Sequence, residues 1–220
     1  MIKSKIKFLI GLLFTPLIVS SSISLYQEVA AIRDITSLHK YLLAGAAFYV
    51  VSFILSFRMD SIYVFEHEMT HAVMVWAFGG KVKSIKVSKD GGSVAANKSN
   101  VAITLAPYIL PVNTALIALI YFFIAIFYDV RAVHEIFMFL VGFSFTMHII
   151  LTIDKLRSEQ TDFLRLGHLG SVVVTYVINI LLVSFLLSCI FTEVSFSNFI
   201  KGFWSKTQYV YIKIFTQLFM

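Results

Sequence analysis

The chain has 220 residues, of which 59% are hydrophobic and only 14% charged, with a mean hydropathy of +0.86. Soluble domains are about a quarter charged, so this composition excludes an ordinary one and points to a polytopic helical membrane protein the size of one compact bundle. The net charge of +6 is scattered among apolar stretches, which argues against nucleic acid as a partner and puts the basic residues in loops and ends beside a lipid bilayer.

Lys3, Lys5 and Lys7 precede an almost wholly apolar run over residues 8–26. A signal peptide opens in the same way, but no clean small-x-small cleavage site follows and the run is long enough to span. A retained first helix is expected. Residues 27–40, with Glu28, Arg33, Asp34, His39 and Lys40, read as a short amphipathic connection. Residues 41–57 form a second apolar helix, and Arg58-Met59-Asp60-Ser61 a turn, with Asp60 or Ser61 as N-cap of the next helix. That helix covers 62–78, and Gly79-Gly80 ends it, since glycine tolerates the left-handed C′ position. Val82, Ile85, Val87 and Val94 then alternate with polar residues around Asp90-Gly91-Gly92, the pattern of a β-hairpin over 81–96.

Residues 101–128 exceed one minimal span and contain Pro107 and Pro111, so a kink or a short re-entrant piece is expected. Asn113, just beyond, reads equally well as a helix–helix hydrogen bond or a substrate contact. A turn over 129–135 carries Arg131, His134 and Glu135. An apolar helix over 136–153 carries His148, a polar stretch follows at 154–168, and 169–191 is the last clear span. Residues 192–220, with Trp204, Tyr209 and Tyr211, suggest an interfacial helix or a further span. Cys189 lies in an apolar run, cannot form an internal disulfide, and reads as a small buried residue.

The expected fold is therefore an all-α polytopic membrane protein, a bundle of about five to six transmembrane helices with one short β-hairpin. One membrane-embedded domain, 1–220, would comprise N-terminal helices (1–60), a core with the hairpin (61–191) and a tail (192–220). The lysines do not settle orientation. With one crossing per segment, the hairpin lies opposite the N-terminal lysines, and the positive-inside rule gives nearly a tie. A multi-pass protein of a prokaryotic plasma membrane is the location expected. Nothing in the sequence sets its oligomeric state.

The chemistry concentrates in His67, Glu68 and His71, the pattern H-E-x-x-H inside IYVFEHEMTHAVMVWAF. Residues four apart share a helix face, so both imidazoles can reach one metal ion, and Glu68 beside them can take a proton from a metal-activated water. Zn2+ suits the pair, because it accepts neutral imidazole and keeps a position for water. Ionisable residues in an apolar helix are costly without partners and mark a functional site by default. A third protein ligand is expected, and spacing leaves Glu135, Asp154, Glu159, Asp162 and His148 all open.

The block HEMTHAVMVWAFGGKVKSIKVSKDGGSV, from His67 to Val94, resembles the site-2 protease (M50) family of intramembrane zinc metalloproteases, closest to the small M50B-like members. They are similar in having H-E-x-x-H-A within a membrane helix, then glycine and a short basic hairpin. A later aspartate ligand follows a Ser or Thr and precedes an apolar stretch. Thr161-Asp162 before Phe163-Leu164 matches that pair, so the resemblance implies Asp162 as third ligand, with Asp154 in reserve. The Asn-x-x-Pro…Leu-Asp-Gly pattern of larger members is not present. What the resemblance implies is a zinc-dependent endopeptidase. His67, His71 and Asp162 would hold Zn2+, Glu68 would serve as general base, and the partner would be a membrane-protein substrate cut in a transmembrane or membrane-adjacent segment. The edge around Val82–Val87 would hold that segment by strand addition. The alternatives are a non-catalytic scaffold or regulatory binding protein that keeps the fold, and a membrane zinc peptidase with Glu135 as ligand that cuts outside the lipid.

Overall fold

The computed structural model describes residues 4–57, 60–88, 91–157 and 161–220. Lys3, the turn at Arg58-Met59, the side chain of Asp60, the hairpin residues Lys89 and Asp90, and the candidate ligand Glu159 lie outside the described residues. Those described form eight α-helices and a single two-stranded sheet: α1 (Ser4–Ala30), α2 (Ser37–Ile54), α3 (Asp60–Ala77), β1 (Val82–Ser88), β2 (Gly91–Ala96), α4 (Val101–Leu105), α5 (Val112–Phe127), α6 (His134–Leu156), α7 (His168–Ile190) and α8 (Phe196–Phe219).

Four helical stretches are long and apolar enough to cross a membrane: α1, α2, residues 131–156 containing α6, and α7. The pair Val101–Tyr108 and Val112–Phe127, bent by 73°, makes a fifth if it counts as one broken span. Among the described residues that makes four spans, or five with the bent pair, against the five to six expected. Two further helices are not in that count. α3 carries Asp60, Glu66 and Glu68 as well as two histidines, and α8 interleaves lysines with its aromatics.

The chain divides into two compact units, Ile35–Arg165 on the one hand and Met1–Asp34 with Leu166–Met220 on the other. The helices expected as an N-terminal pair within 1–60 thus fall in different units.

In the unit Ile35–Arg165, α2 begins with a reciprocal cap. The Thr36 hydroxyl accepts from the His39 backbone N–H, and His39 Nδ1 accepts from the Thr36 N–H. His39, read from sequence as part of a polar connection, is therefore helical. α2 packs on α6 through glycine. A Cβ added at Gly45 would lie 2.0 Å from Phe139 O, and one at Gly142 would lie 2.0 Å from Leu42 O. The two backbones touch there, as small residues allow between apolar helices. Next to this crossing sits a core of Tyr49, Tyr63, Met147 and Leu151, with Phe53 and Phe143 against it. α3 contributes Tyr63 to that core and ends at Gly79 (φ 71°). There the Gly79 N–H donates to Trp76 O and the Gly80 N–H to Val75 O, both at 2.8 Å, a Schellman end. The hairpin follows in antiparallel register, with Ile85 opposite Val94 and Val87 opposite Gly92.

In the other unit, α1 meets α7 at Gly11, where an added Cβ would stand 2.9 Å from Gly170 N. Ser20, Ser21 and Ser24 are buried along α1, and Ser22 shares a 2.8 Å hydrogen bond with Tyr176 of α7. Tyr211 of α8 donates to Leu13 O at 2.6 Å. Glu28 accepts from the Ser195 N–H, and Glu193 from the N–H groups of Arg33 and Asp34. Cys189 is exposed on α7 rather than buried.

The glycine crossing predicts the effect of one methyl group. Gly142→Ala should lower the melting temperature of the detergent-solubilised protein by an overpacking cost of about 1–3 kcal/mol. Gly202→Ala, whose Cβ would face the mobile end of Lys206 at 3.1 Å, should be tolerated. Equal melting temperatures for Gly142→Ala and wild type would refute the close crossing.

Candidate metal centre

The amphipathic α3 supplies the first half of the site. Tyr63, Glu66, Thr70, Ala72 and Val75 are buried, while Phe65, Val73 and Trp76 are exposed. His67 and His71 lie on the side of the helix that also carries Tyr63 and Val75, with side chains 12% exposed, one turn apart, their rings 4.8 Å apart edge to face. The second half comes from a short 3₁₀ turn, Thr161–Leu164, beyond α6. Phe163 is buried against Tyr108 at 4.9 Å between ring centres, which anchors that turn beneath α3. Asp162 Oδ2 then stands 3.5 Å from His67 Nε2 and 3.5 Å from His71 Nε2.

One ligand atom from each of His67, His71 and Asp162 lies within 4.8 Å of the others. A tetrahedral ion bound at 2.0–2.2 Å sets its ligand atoms about 3.4 Å apart, and two neutral imidazoles with one carboxylate are a usual donor set for it. The residues present therefore fit a divalent ion. His71 is oriented for such a role. Its Nδ1 lies 2.9 Å from Ile103 O, which fixes the proton on Nδ1 and turns Nε2 to the site. Burial alone would raise the Asp162 pKa. The His67 and His71 imidazoles beside it, together with the Tyr108 hydroxyl, outweigh it and hold this carboxyl well below the usual carboxylate range.

Of the other candidate ligands, His148 is buried on α6, Asp154 is half-buried near the end of that helix, and Glu135 is exposed in its first turn. None of the three joins the cluster.

Glu68 is 6% exposed and lines the same cavity of about 290 Å³ as the three candidate ligands. β2 forms one wall through Gly92, Ser93, Val94 and Ala96, and Ile103 and Thr104 of α4 also line it. A Cβ at Gly92 would lie 2.4 Å from Glu68 Cγ, so the strand backbone rests directly on this side chain. The strand beside Glu68 is thus β2. The edge expected from sequence, Val82–Val87 in β1, contributes no residue to the cavity wall.

Three contributors went unread in the sequence. Tyr108, fully buried, donates its hydroxyl to Asp162 Oδ2 at 2.9 Å. Glu66, 8% exposed, accepts from the Asn113 N–H at 3.2 Å and from Asn113 Nδ2 at 2.5 Å. Asn113 therefore makes a helix–helix hydrogen bond, and a carboxylate from α3 satisfies an N–H in the first turn of α5. Ile103 contributes only a carbonyl, which no sequence pattern announces. Glu66 did carry a signal, being an ionisable residue in an apolar helix next to His67.

No protein-family model matches this chain, and neither a curated protein nor a solved structure matches it.

The geometry predicts metal uptake and its losses. Wild type, loaded with zinc and desalted in detergent, should retain about one equivalent. His67→Ala, His71→Ala and Asp162→Ala should each retain a small fraction of that, and Asp154→Ala a wild-type amount. Elemental analysis decides, and an Asp154→Ala loss matching that of Asp162→Ala would redraw the site.

Proposed function

We propose that this chain is a zinc-dependent endopeptidase, an integral multi-pass membrane protein that cuts a transmembrane or membrane-adjacent segment of a substrate protein. One observation carries the reading. Glu68 shares a cavity with His67, His71 and Asp162, and a strand of backbone forms the wall beside it. The H-E-x-x-H spacing and the resemblance to site-2 proteases support it, and the long apolar helices suit a bilayer.

Zinc held by His67, His71 and Asp162 would polarise the scissile carbonyl and acidify a water. Glu68, which lines this cavity, would act as general base, taking a proton from a water whose oxygen attacks the scissile carbonyl carbon. It would then deliver that proton to the departing amine nitrogen. Its seat is set by Gly92, which packs on the Glu68 side chain and leaves the carboxylate little room to swing. A helical substrate hides its peptide bonds, so the segment must enter unwound. β2 lines the cavity and is an edge of its two-stranded sheet, so it would hold such a segment by strand addition, as edge strands hold extended peptides.

Two substitutions separate the base from the metal. Glu68→Gln should keep bound zinc and slow cleavage at least about a hundredfold. It should also accumulate uncut membrane-protein substrate on co-purification, identifiable by mass spectrometry. Gly92→Val should likewise keep zinc but reduce cleavage, because its side chain occupies the space of Glu68. Undiminished cleavage by Glu68→Gln would sink the mechanism.

A further inference from the structure

We propose that Tyr108 is a positioning residue of the metal centre, whose hydroxyl holds Asp162 as a one-oxygen ligand and so keeps a position on the bound ion for water. The proposal rests on the metal reading above and adds to it a residue that no pattern in the chain assigns.

The same carboxylate oxygen does three things. Asp162 Oδ2 faces His67 Nε2 and His71 Nε2 at 3.5 Å each and accepts the Tyr108 hydroxyl at 2.9 Å. A carboxylate oxygen has two lone pairs in the plane of the group. With the phenol on one and the imidazole side facing the other, the carboxylate is fixed about its Cβ–Cγ bond. It is then not free to turn both oxygens to the metal. The difference matters, because a carboxylate bound through both oxygens would fill the position that a catalytic ion leaves for water.

Tyr108 is built to keep that hydroxyl in place. It is fully buried, and its ring meets His67 edge to face at 5.0 Å and Phe163 at a tilt at 4.9 Å between centres. It sits in the 3₁₀ turn Ala106–Tyr108 between α4 and α5, and this stretch is pinned on both sides. Asn100 caps α4 by accepting from the Ile103 N–H at 2.8 Å. Ile103 O meets His71 Nδ1, and Asn113 is tied to Glu66. One bent segment thus orients a histidine ligand and the aspartate ligand together. Partners of this kind typically change metal affinity 10–100-fold when removed.

The experiment uses the full-length protein in detergent, with zinc and cobalt ions as probes and a chromophoric chelator as competitor. Tyr108→Phe removes one buried oxygen and nothing else. It should weaken zinc binding about 10–100-fold and shift the visible cobalt spectrum from the strong bands of a four-coordinate ion toward the weaker ones of a five-coordinate ion. In an Asp162→Asn background the same change should cost less than about threefold, since the two residues act as one unit. A merely structural tyrosine would cost the same in both backgrounds, and additive losses would overturn the proposal. So would a Tyr108→Phe protein with wild-type affinity and spectrum, while leaving the metal reading intact. Folded wild type that takes up neither ion would overturn both. If Tyr108→Phe folds poorly, wild-type cobalt protein decides alone. A four-coordinate spectrum supports the assignment and a five-coordinate one refutes it.

Discussion

An apolar chain can bury imidazoles and carboxylates only if each finds a partner, because stranding a charge in a low-dielectric interior costs several kcal/mol. Asp162 Oδ2 is where that constraint is met. It gathers two histidines from α3 and a phenol from the turn before α5, and it arrives from a segment about ninety residues beyond the histidines in sequence. Glu66 solves the same problem one residue before His67, by taking two hydrogen bonds from Asn113. The polar face of α3 is therefore a set of attachments. The turn with Asp162, the bent α4–α5 segment and the hairpin each fasten to it through a polar contact or through glycine.

Glycine supplies the second half of the design. Gly45 and Gly142 bring the α2 and α6 backbones into contact, so α6 runs close to the core around Tyr63 at the base of α3. Gly79 and Gly80 turn the chain sharply at the end of α3, and the hairpin folds back so that Gly92 meets Glu68. A side chain at Gly92 would occupy the room that the Glu68 side chain uses. The closeness of strand and carboxylate thus depends on a missing Cβ as much as on any contact made.

The sequence showed the parts of this site that are periodic or local. His67, Glu68 and His71 share a helix face by spacing alone, the hairpin was visible in its alternation, and the break at Pro107 and Pro111 is a 73° bend. What it did not show is what depends on long-range docking. Spacing left five candidates for a third ligand, because the position of a short turn after α6 is set by the burial of Phe163 and by no local pattern. Tyr108 reads as one more aromatic in a chain with 22 phenylalanines and 10 tyrosines. Which strand borders Glu68 was not legible in the sequence, for a related reason. Hydrophobic alternation is stronger in β1, whereas β2 approaches Glu68 at Gly92, and a glycine carries no hydropathy signal.

Under the proposed function, the polarity of α3 bears on where a peptide bond would be cut. With three carboxylates and two histidines in 18 residues, α3 is not among the helices apolar enough to cross a membrane, although α2 before it is. The cavity it lines is walled largely by Ser, Thr, Gly and charged side chains, a lining that water wets readily. Hydrolysis needs that water, and a lipid-embedded helix does not expose its peptide bonds. Both difficulties ease if the substrate leaves the apolar layer and unwinds where it meets the cavity, exchanging its internal hydrogen bonds for those of an edge strand. Under the proposed function, the balance between a substrate's helix stability and its pairing with β2 would then select what is cut. Segments weakened by glycine or proline would be favoured over uniformly aliphatic ones, because their helices cost less to open.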